Sequence, residues 1–309
     1  MPSVRVLYIT STPRSGSTLV GNVIGQAEGF VHVGELNQLW FRLVGRPSTT
    51  CGCGVELTDC PFWSEVLQRV ESTPGFPGRD QMHEIQLGAE GLRGFAHQKL
   101  VAADRGYRET VERLYQVISE LCDGQVIVDS SKKVGYGAML PSVPSLDVRF
   151  LHLIRDPRGM AASRTRRSRA ERGALLRVRS LLADSARWVG LNLAAESLAN
   201  EQGVRVNYEA FTANPRPEIE RALALFMPDA DLDAIVDGST VHLQPTHTVW
   251  GNRSRFTTGA VEIVDDQRWT TELSVWERRL ATGLPRPFLG RFGYSVEAPS
   301  APVGSSSTP

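Results

Sequence analysis

Apolar residues along this chain fall into short unbroken runs that alternate with stretches of helical period. Val4–Thr10 is a continuous, β-branched run, the pattern of a strand buried on both faces of a parallel sheet. Leu19–Gln26 then has helical spacing. Phe30–Val33 is a second short strand, followed by Gly34-Glu35 and a helix to about Val44. Residues from about Gly45 to Gln81 hold clusters of Pro, Gly and Cys around one short helix near Pro61–Val70. Two helical patterns follow, near His83–Ala102 and Arg105–Cys122. Gln125–Asp129 and Val148–Ile154 are strands. Helices are predicted over Pro157–Arg169 and Leu175–Asn200, a strand over Val204–Tyr208 and a helix over Pro217–Leu225. Strands alternating with helices predict an α/β fold, a P-loop-like parallel sheet flanked by helices. The expected organisation is one domain over residues 1–297, with a helical cap insertion at about 45–122. Residues 298–309 are Ser/Pro-rich and read as a disordered tail.

The turn after the first strand is Thr12-Pro13-Arg14-Ser15-Gly16-Ser17-Thr18. A strand, a small-residue turn and a helix form an anion site, because backbone N–H groups and the positive end of the helix dipole converge there. A Walker A loop would carry a lysine after its last glycine to reach the β/γ-phosphates. Ser17 stands in that place, and the basic residue, Arg14, precedes the glycine. The loop therefore suits a phosphate donor other than a nucleoside triphosphate.

A second stretch points to the same edge. Val148–Ile154 ends in Arg155-Asp156-Pro157, and ligands of open parallel sheets bind beyond the carboxyl ends of strands. Pro157 suits the first turn of a helix. Ser163 lies about two turns along it, so Arg155 and Ser163 can reach one phosphate group.

Charge and composition narrow the class. The 309 residues carry a formal net charge of zero, which argues against a protein organised around nucleic acid. The basic residues are almost all arginine, with lysine only at Lys99, Lys132 and Lys133. Arginine suits bidentate contacts to phosphate or sulfate, although a GC-rich genome gives the same bias. The arginine run Arg155–Arg179 lacks interleaved aromatics and reads as a solvated helix face with an anion-binding end, not an RNA surface. No stretch approaches the ~20 apolar residues of a membrane span, and the N-terminus lacks the pattern of a secretory leader. The expectation is a cytoplasmic protein with no membrane span. Cys51, Cys53 and Cys60 are crowded and Cys122 stands alone. The three cysteines have metal-like crowding but lack a clear fourth ligand at zinc-site spacing, so a packed, reduced loop is the first reading and a zinc site the alternative.

Taken together, the loop, the strand ending Arg-Asp-Pro and the serine eight residues after that arginine resemble the sulfotransferases that use 3′-phosphoadenosine 5′-phosphosulfate (PAPS). The resemblance implies that Arg14, Ser15, Gly16, Ser17 and Thr18 hold the 5′-phosphosulfate, and Arg155 and Ser163 the 3′-phosphate. Val206-Asn207-Tyr208-Glu209 resembles the family's Tyr-Glu segment, which places Tyr208 beside the adenine. His247-Thr248-Val249-Trp250-Gly251-Asn252-Arg253-Ser254-Arg255-Phe256 resembles the Gly-Asn-x-x-Arg-Phe segment of the bacterial and carbohydrate branch, which places Gly251, Asn252 and Arg255 near the donor. The span Trp269–Tyr294 is similar to the family's C-terminal helices. Unlike the cytosolic animal branch, the chain has no loop lysine and no Lys-Thr-His segment; the matching strand ends Asp129-Ser130-Ser131-Lys132-Lys133.

Sulfuryl transfer to a hydroxyl needs a base, because phenols titrate near ~10 and alcohols higher. Glu35 follows a strand and a glycine, resembles the Gly-Glu segment of glutamate-dependent sulfotransferases, and is the first choice. His247 and His32 are the alternatives. Arg14, and after it Lys132, are the cations expected at the bridging oxygen, where fixed charge is worth several kcal/mol in a dry site. Ser130 and Ser131 are weaker candidates to bond the sulfonate or the acceptor. No metal is required, since arginines can supply the positive field. PAPS is then the donor, 3′,5′-bisphosphoadenosine (PAP) the product, and a small-molecule hydroxyl the acceptor: phenolic, lipid-like or glycosidic. Leu39, Trp40, Phe41, Phe62 and Trp63 offer apolar walls for it, or a cap core. Two other readings stand beside this one: a P-loop nucleotide kinase, and an inactive relative that binds PAP or PAPS.

Overall fold

The computed structural model describes residues 3–45, 49–88, 104–168, 174–200, 202–264 and 267–297. The predicted helix beyond residue 88 and the tail 298–309 lie outside them. Contacts divide the chain into two compact units, Met1–Arg155 with Gly190–Asp265, and Asp156–Val189 with Asp266–Pro309.

The first unit is built on a five-stranded parallel sheet of order β2-β3-β1-β4-β5. Its strands are β1 (Val4–Ser11), β2 (Phe30–Gly34), β3 (Val126–Lys132), β4 (Leu146–Ile154) and β5 (Gly203–Asn207). In β1 only Arg5 escapes full burial, as a central strand covered on both faces requires. Its side chains alternate between two cores. Val4, Val6 and Tyr8 face a cluster with Trp63, Tyr107 and Tyr115; Leu7 and Ile9 face another with Val20, Phe211 and Ile219.

Helices cover each face. α1 (Ser17–Ile24) follows the loop, and α2 (Leu39–Val44) follows β2 after one 3-10 turn. α3 (Pro61–Glu71), α4 (Arg79–Gly88) and α5 (Arg105–Leu121) form the cap-side layer. α5 buries Tyr107, Val111, Leu114, Tyr115 and Ile118 along one stripe. Its N-cap Asp104 accepts from Tyr107 N at 2.9 Å, a contact worth about 1 kcal/mol. α6 (Val134–Met139) was not anticipated. Neither was a small antiparallel sheet of β6 (Val236–Asp237), β7 (Thr240–Leu243) and β8 (Gly259–Glu262), which packs Val236, Val241 and Leu243 into the second core.

The second unit begins with α7 (Pro157–Ser168) and takes in the first part of α8 (Ala174–Ala199). Ala161, Ala162, Leu181, Trp269, Leu273 and Ala281 make its apolar centre. Arg158 grips Asp156 through Nε–Oδ1 at 2.9 Å and Nη2–Oδ2 at 2.7 Å, and its guanidinium lies 4.3 Å over Trp269. A capping box of Ser274 and Glu277 starts the helix Val275–Gly283. No described helix is long and apolar enough to cross a membrane.

One buried carboxylate underlies the carboxyl edge of the main sheet. Asp129 accepts from Ser131 N at 2.8 Å, Tyr115 OH at 2.6 Å and Leu36 N at 3.4 Å, as well as from Ser131 Oγ. Burial pushes its pKa from 3.8 up to about 6 against those hydrogen bonds. Between these two values the native carboxyl keeps a proton that the unfolded chain has released. Stability from this group therefore falls as pH rises from about 4 to about 6, by about 3 kcal/mol in all. Urea unfolding across pH 4–7 should show the wild type losing this stability relative to Asp129→Asn, whose side chain does not titrate.

Candidate active site

Five strand ends reach one edge of the sheet, and each delivers a residue that the sequence had singled out. After β1 the chain turns through Thr12–Gly16, with Thr12 Oγ1 and Ser15 Oγ bonded at 2.7 Å. Arg14 and Gly16 both have left-handed backbones, φ 75° and 89°. Ser17 and Thr18 then open α1, whose first-turn N–H groups face the loop.

β4 ends at Ile154, so Arg155 is the first residue beyond it. Its Nη1 donates to Arg14 O at 3.0 Å, and its guanidinium lies 4.6 Å over the ring of Tyr208. Tyr208 follows β5, whose Asn207 pairs with Ile154. It opens the helix α9 (Tyr208–Ala213) instead of ending the strand as expected. A Cβ on Gly16 would sit 2.1 Å from Tyr208 Cε2. The ring therefore fills the space that the glycine leaves, and ties β1, β4 and β5 together at the loop.

β2 ends at Gly34, and Glu35 comes next. Glu35 Oε1 accepts from Lys132 Nζ, which belongs to the last residue of β3, in an ion pair with both side chains about seven-eighths covered. Lys132 adopts φ 66°, so of the three non-glycine residues with positive φ among those described, two (Arg14 and Lys132) stand at this edge.

His32 does not fit the role of base. It is fully buried between Asn22 Oδ1 at 2.9 Å and Ser130 Oγ at 3.0 Å, and desolvation, then Lys132, lowers its pKa to about 3. Ser130 is thus committed to His32, and Ser131 to Asn37 N and Asp129. Both serines are fully buried and serve as floor, not as donors to a ligand.

The segment after His247 runs along the end of β2. Val249 N donates to Val33 O at 2.9 Å, and Glu35 N donates to Trp250 O at 3.0 Å. Gly34 must be glycine here: φ is 80°, and a Cβ would fall 2.6 Å from Trp250 O. The segment then crosses α1, where Asn252 N donates to Thr18 Oγ1 at 3.0 Å and Gly251 packs on the same threonine. Arg255 is buried, with Nη2 on Thr50 O at 2.8 Å and its guanidinium 4.9 Å over Trp250. Desolvation lowers its pKa, and its Nε has no hydrogen-bond partner among the described residues.

A cavity of about 290 Å³ opens beside this segment, lined by Arg42, Thr50, Trp250, Gly251, Arg253 and Arg255 among others. Arg42 stacks on Trp250 with its guanidinium 3.3 Å from the ring centroid. Sequence reasoning missed Arg42; an arginine within the apolar helix Leu39–Val44 was the signal. The aromatic walls proposed from sequence do not line this cavity. Leu39, Trp40 and Trp63 are core, Phe41 packs on His83, and Phe62 stacks on His247. Ser163 lies on α7 in the second unit, where it is buried.

The profile of the sulfotransferase family matches residues 7–228. The chain belongs to that family. Among solved structures, the sulfotransferase domain from the curacin biosynthetic pathway is 14% identical, with a TM-score of 0.51 over 96% of this chain and 99% of its own. The sulfotransferase domain from the Synechococcus PCC 7002 olefin synthase is 16% identical, with a TM-score of 0.49 over 93% and 96%. At such identities the first likeness is one of fold. No curated protein sequence matches the chain.

The Gly16–Tyr208 contact is directly testable. Gly16→Ala should cost about 1–3 kcal/mol of unfolding free energy, from backbone strain and overpacking against the ring. Adding Tyr208→Ala to Gly16→Ala should relieve the overpacking share, which a double-mutant cycle by urea unfolding will measure.

Proposed function

We propose that this protein moves the sulfuryl group of PAPS onto a hydroxyl of a small molecule, phenolic, lipid-like or glycosidic, with Glu35 as the base. The observation that carries this reading is the Glu35–Lys132 ion pair at the edge that also holds the anion loop. Sulfuryl transfer needs a base and a cation at the reacting group, and this pair offers both.

Several features suit the donor. Gly16 lets the Tyr208 ring lie against the loop, and Gly251 lets the late segment pack on Thr18. The first turn of α1 supplies N–H groups, Arg14 and Arg155 supply charge, and Tyr208 supplies an aromatic face. Arg255 brings a buried Nε with no hydrogen-bond partner among the described residues. Ser17 in place of the Walker lysine disfavours a nucleoside triphosphate. Bound PAPS would supply an electrophilic sulfur whose bond to a phosphate oxygen breaks as the acceptor oxygen attacks in line.

The residues of the chain do the rest. Glu35 accepts the hydroxyl proton as the new S–O bond forms. On protonation it loses its charge, which releases the Lys132 ammonium towards the negative charge growing on the departing phosphate oxygen. Arg14, on the loop, would be a second cation where charge develops. Arg155 is the proposed partner of the 3′-phosphate.

Two measurements test this. In thermal-shift assays PAP should stabilise the protein, and 5′-AMP should not; Arg155→Ala should weaken PAP by about 2 kcal/mol from lost charge-assisted hydrogen bonds. A response to ATP with magnesium alone would favour a kinase instead. With an acceptor in hand, Glu35→Gln should lower turnover at least ~100-fold while PAP affinity by calorimetry stays within about twofold. Near-wild-type turnover would remove Glu35 from the mechanism, and normal PAPS binding with no turnover on any acceptor would favour an inactive binder.

A further inference from the structure

The three crowded cysteines lacked a fourth ligand in the sequence, and the fold supplies it. Cys51, Cys53, Cys60 and His247 bring one ligand atom each to within 4.8 Å of one another. We propose that these four residues bind a zinc ion, and that the ion fastens the cysteine loop to the segment that forms one wall of the active site.

The distances match a tetrahedron. A zinc–sulfur bond of about 2.3 Å implies ligand atoms about 3.8 Å apart along each edge. Cys53 Sγ and Cys60 Sγ are 3.7 Å apart, His247 Nδ1 is 3.2 Å from Cys60 Sγ and 3.9 Å from Cys51 Sγ. The sulfurs are too far apart for a disulfide and all four cysteines are free thiols.

The surroundings hold each ligand in place. Cys51 N donates to Val55 O at 2.7 Å and Gly54 N to Cys51 O at 2.9 Å, which folds Cys51–Val55 into a tight turn with both thiols on its inner side. Gly54 takes φ 97° to close it. Gly52 is obligatory for a different reason: a Cβ would lie 2.3 Å from Thr248 Oγ1. Cys60 caps α3, and the amides of Phe62 and Trp63 are directed at its sulfur as that of Val55 is at Cys53. Such amides offset thiolate charge. The His247 ring stacks on Phe62 with centroids 5.1 Å apart at 16°, and its carbonyl accepts from the Trp63 indole at 2.8 Å. The imidazole is therefore fixed with Nδ1 towards the sulfurs.

Four protein ligands close the coordination sphere, so the ion is structural and has no open position for substrate. Three soft thiolates with one imidazole in tetrahedral array select zinc over magnesium or calcium. Binding one Zn²⁺ displaces the three thiol protons and leaves a centre of net charge −1. The Arg255 guanidinium, bonded to the carbonyl of Thr50 next to Cys51, is the nearby counter-charge. This assignment also removes His247 from the list of bases. Its effect on the site runs through the backbone. Gly52 N donates to Thr248 O at 3.0 Å, and the next residues hold Val33 O and Glu35 N.

The test needs no acceptor and no activity. Full-length protein expressed in zinc-replete medium should contain about one zinc per chain by elemental analysis, and mercurial titration of the thiols should release it in step. Cobalt(II) added to the apo protein should give the intense visible bands of a tetrahedral thiolate site. His247→Cys should keep the metal and shift those bands, whereas Cys53→Ser should lower metal content at least about tenfold. Cys122→Ser, outside the cluster, should leave content unchanged. Zinc should raise the thermal midpoint of the apo protein by about 5 °C or more. Folded protein that carries less than about one zinc in ten chains, and gives only the weak bands of octahedral cobalt, overturns the assignment. PAP binding by the same preparation reports separately on the sulfotransferase reading.

Discussion

The Tyr208 ring occupies the place where a side chain on Gly16 would be, and the carboxyl edge of the main sheet depends on that exclusion. The ring can lie against the loop only because the loop residue has no Cβ. Once there, it offers its other surroundings to the Arg155 guanidinium, whose Nη1 holds the Arg14 carbonyl. Three parallel strands that would otherwise end independently are thus joined through one aromatic plane. The strained Arg14 backbone is supported from outside the loop, since its carbonyl is the group Arg155 holds.

Beneath this edge lies a buried polar floor. Asp129, Ser130, Ser131, His32 and Asn22 satisfy one another in the interior, and the chain places Glu35 and Lys132 just above them. A fully bonded buried network fixes its members, and fixed residues below a site hold the reactive ones above in a defined geometry. The arrangement explains why residues with apparent chemistry, two serines and a histidine, end up as scaffolding while a glutamate and a lysine reach the surface of the site.

The edge residues were legible because a parallel sheet converts linear order into place. A buried run followed by Gly34-Glu35, by Arg155 or by Tyr208 sends those residues to the same side, whatever the strand order. The Glu35–Lys132 pair could be anticipated only as two residues at one edge; their contact follows from β2 and β3 being neighbours, which the sequence does not state. The small sheet escaped notice because its strands have two to four residues, too few to show a period. Leu39, Trp40 and Trp63 read equally well as pocket wall or as core, and burial decided for core. His247 could not be matched with the cysteines because the contact depends on the late segment lying along β2.

That late segment also sets the order in which the molecule can become competent. Val249 meets Val33 across most of the length of the chain, and Asn252 meets Thr18 likewise. Closing so long a loop is favourable only after the sheet and α1 exist to receive it. A chain emerging from the ribosome can therefore pair β1 to β5 and form its anion loop while the Trp250 wall is still being made. Docking of this segment completes the first unit's core as well as its edge, since Val249 is buried with Tyr8 and Trp63.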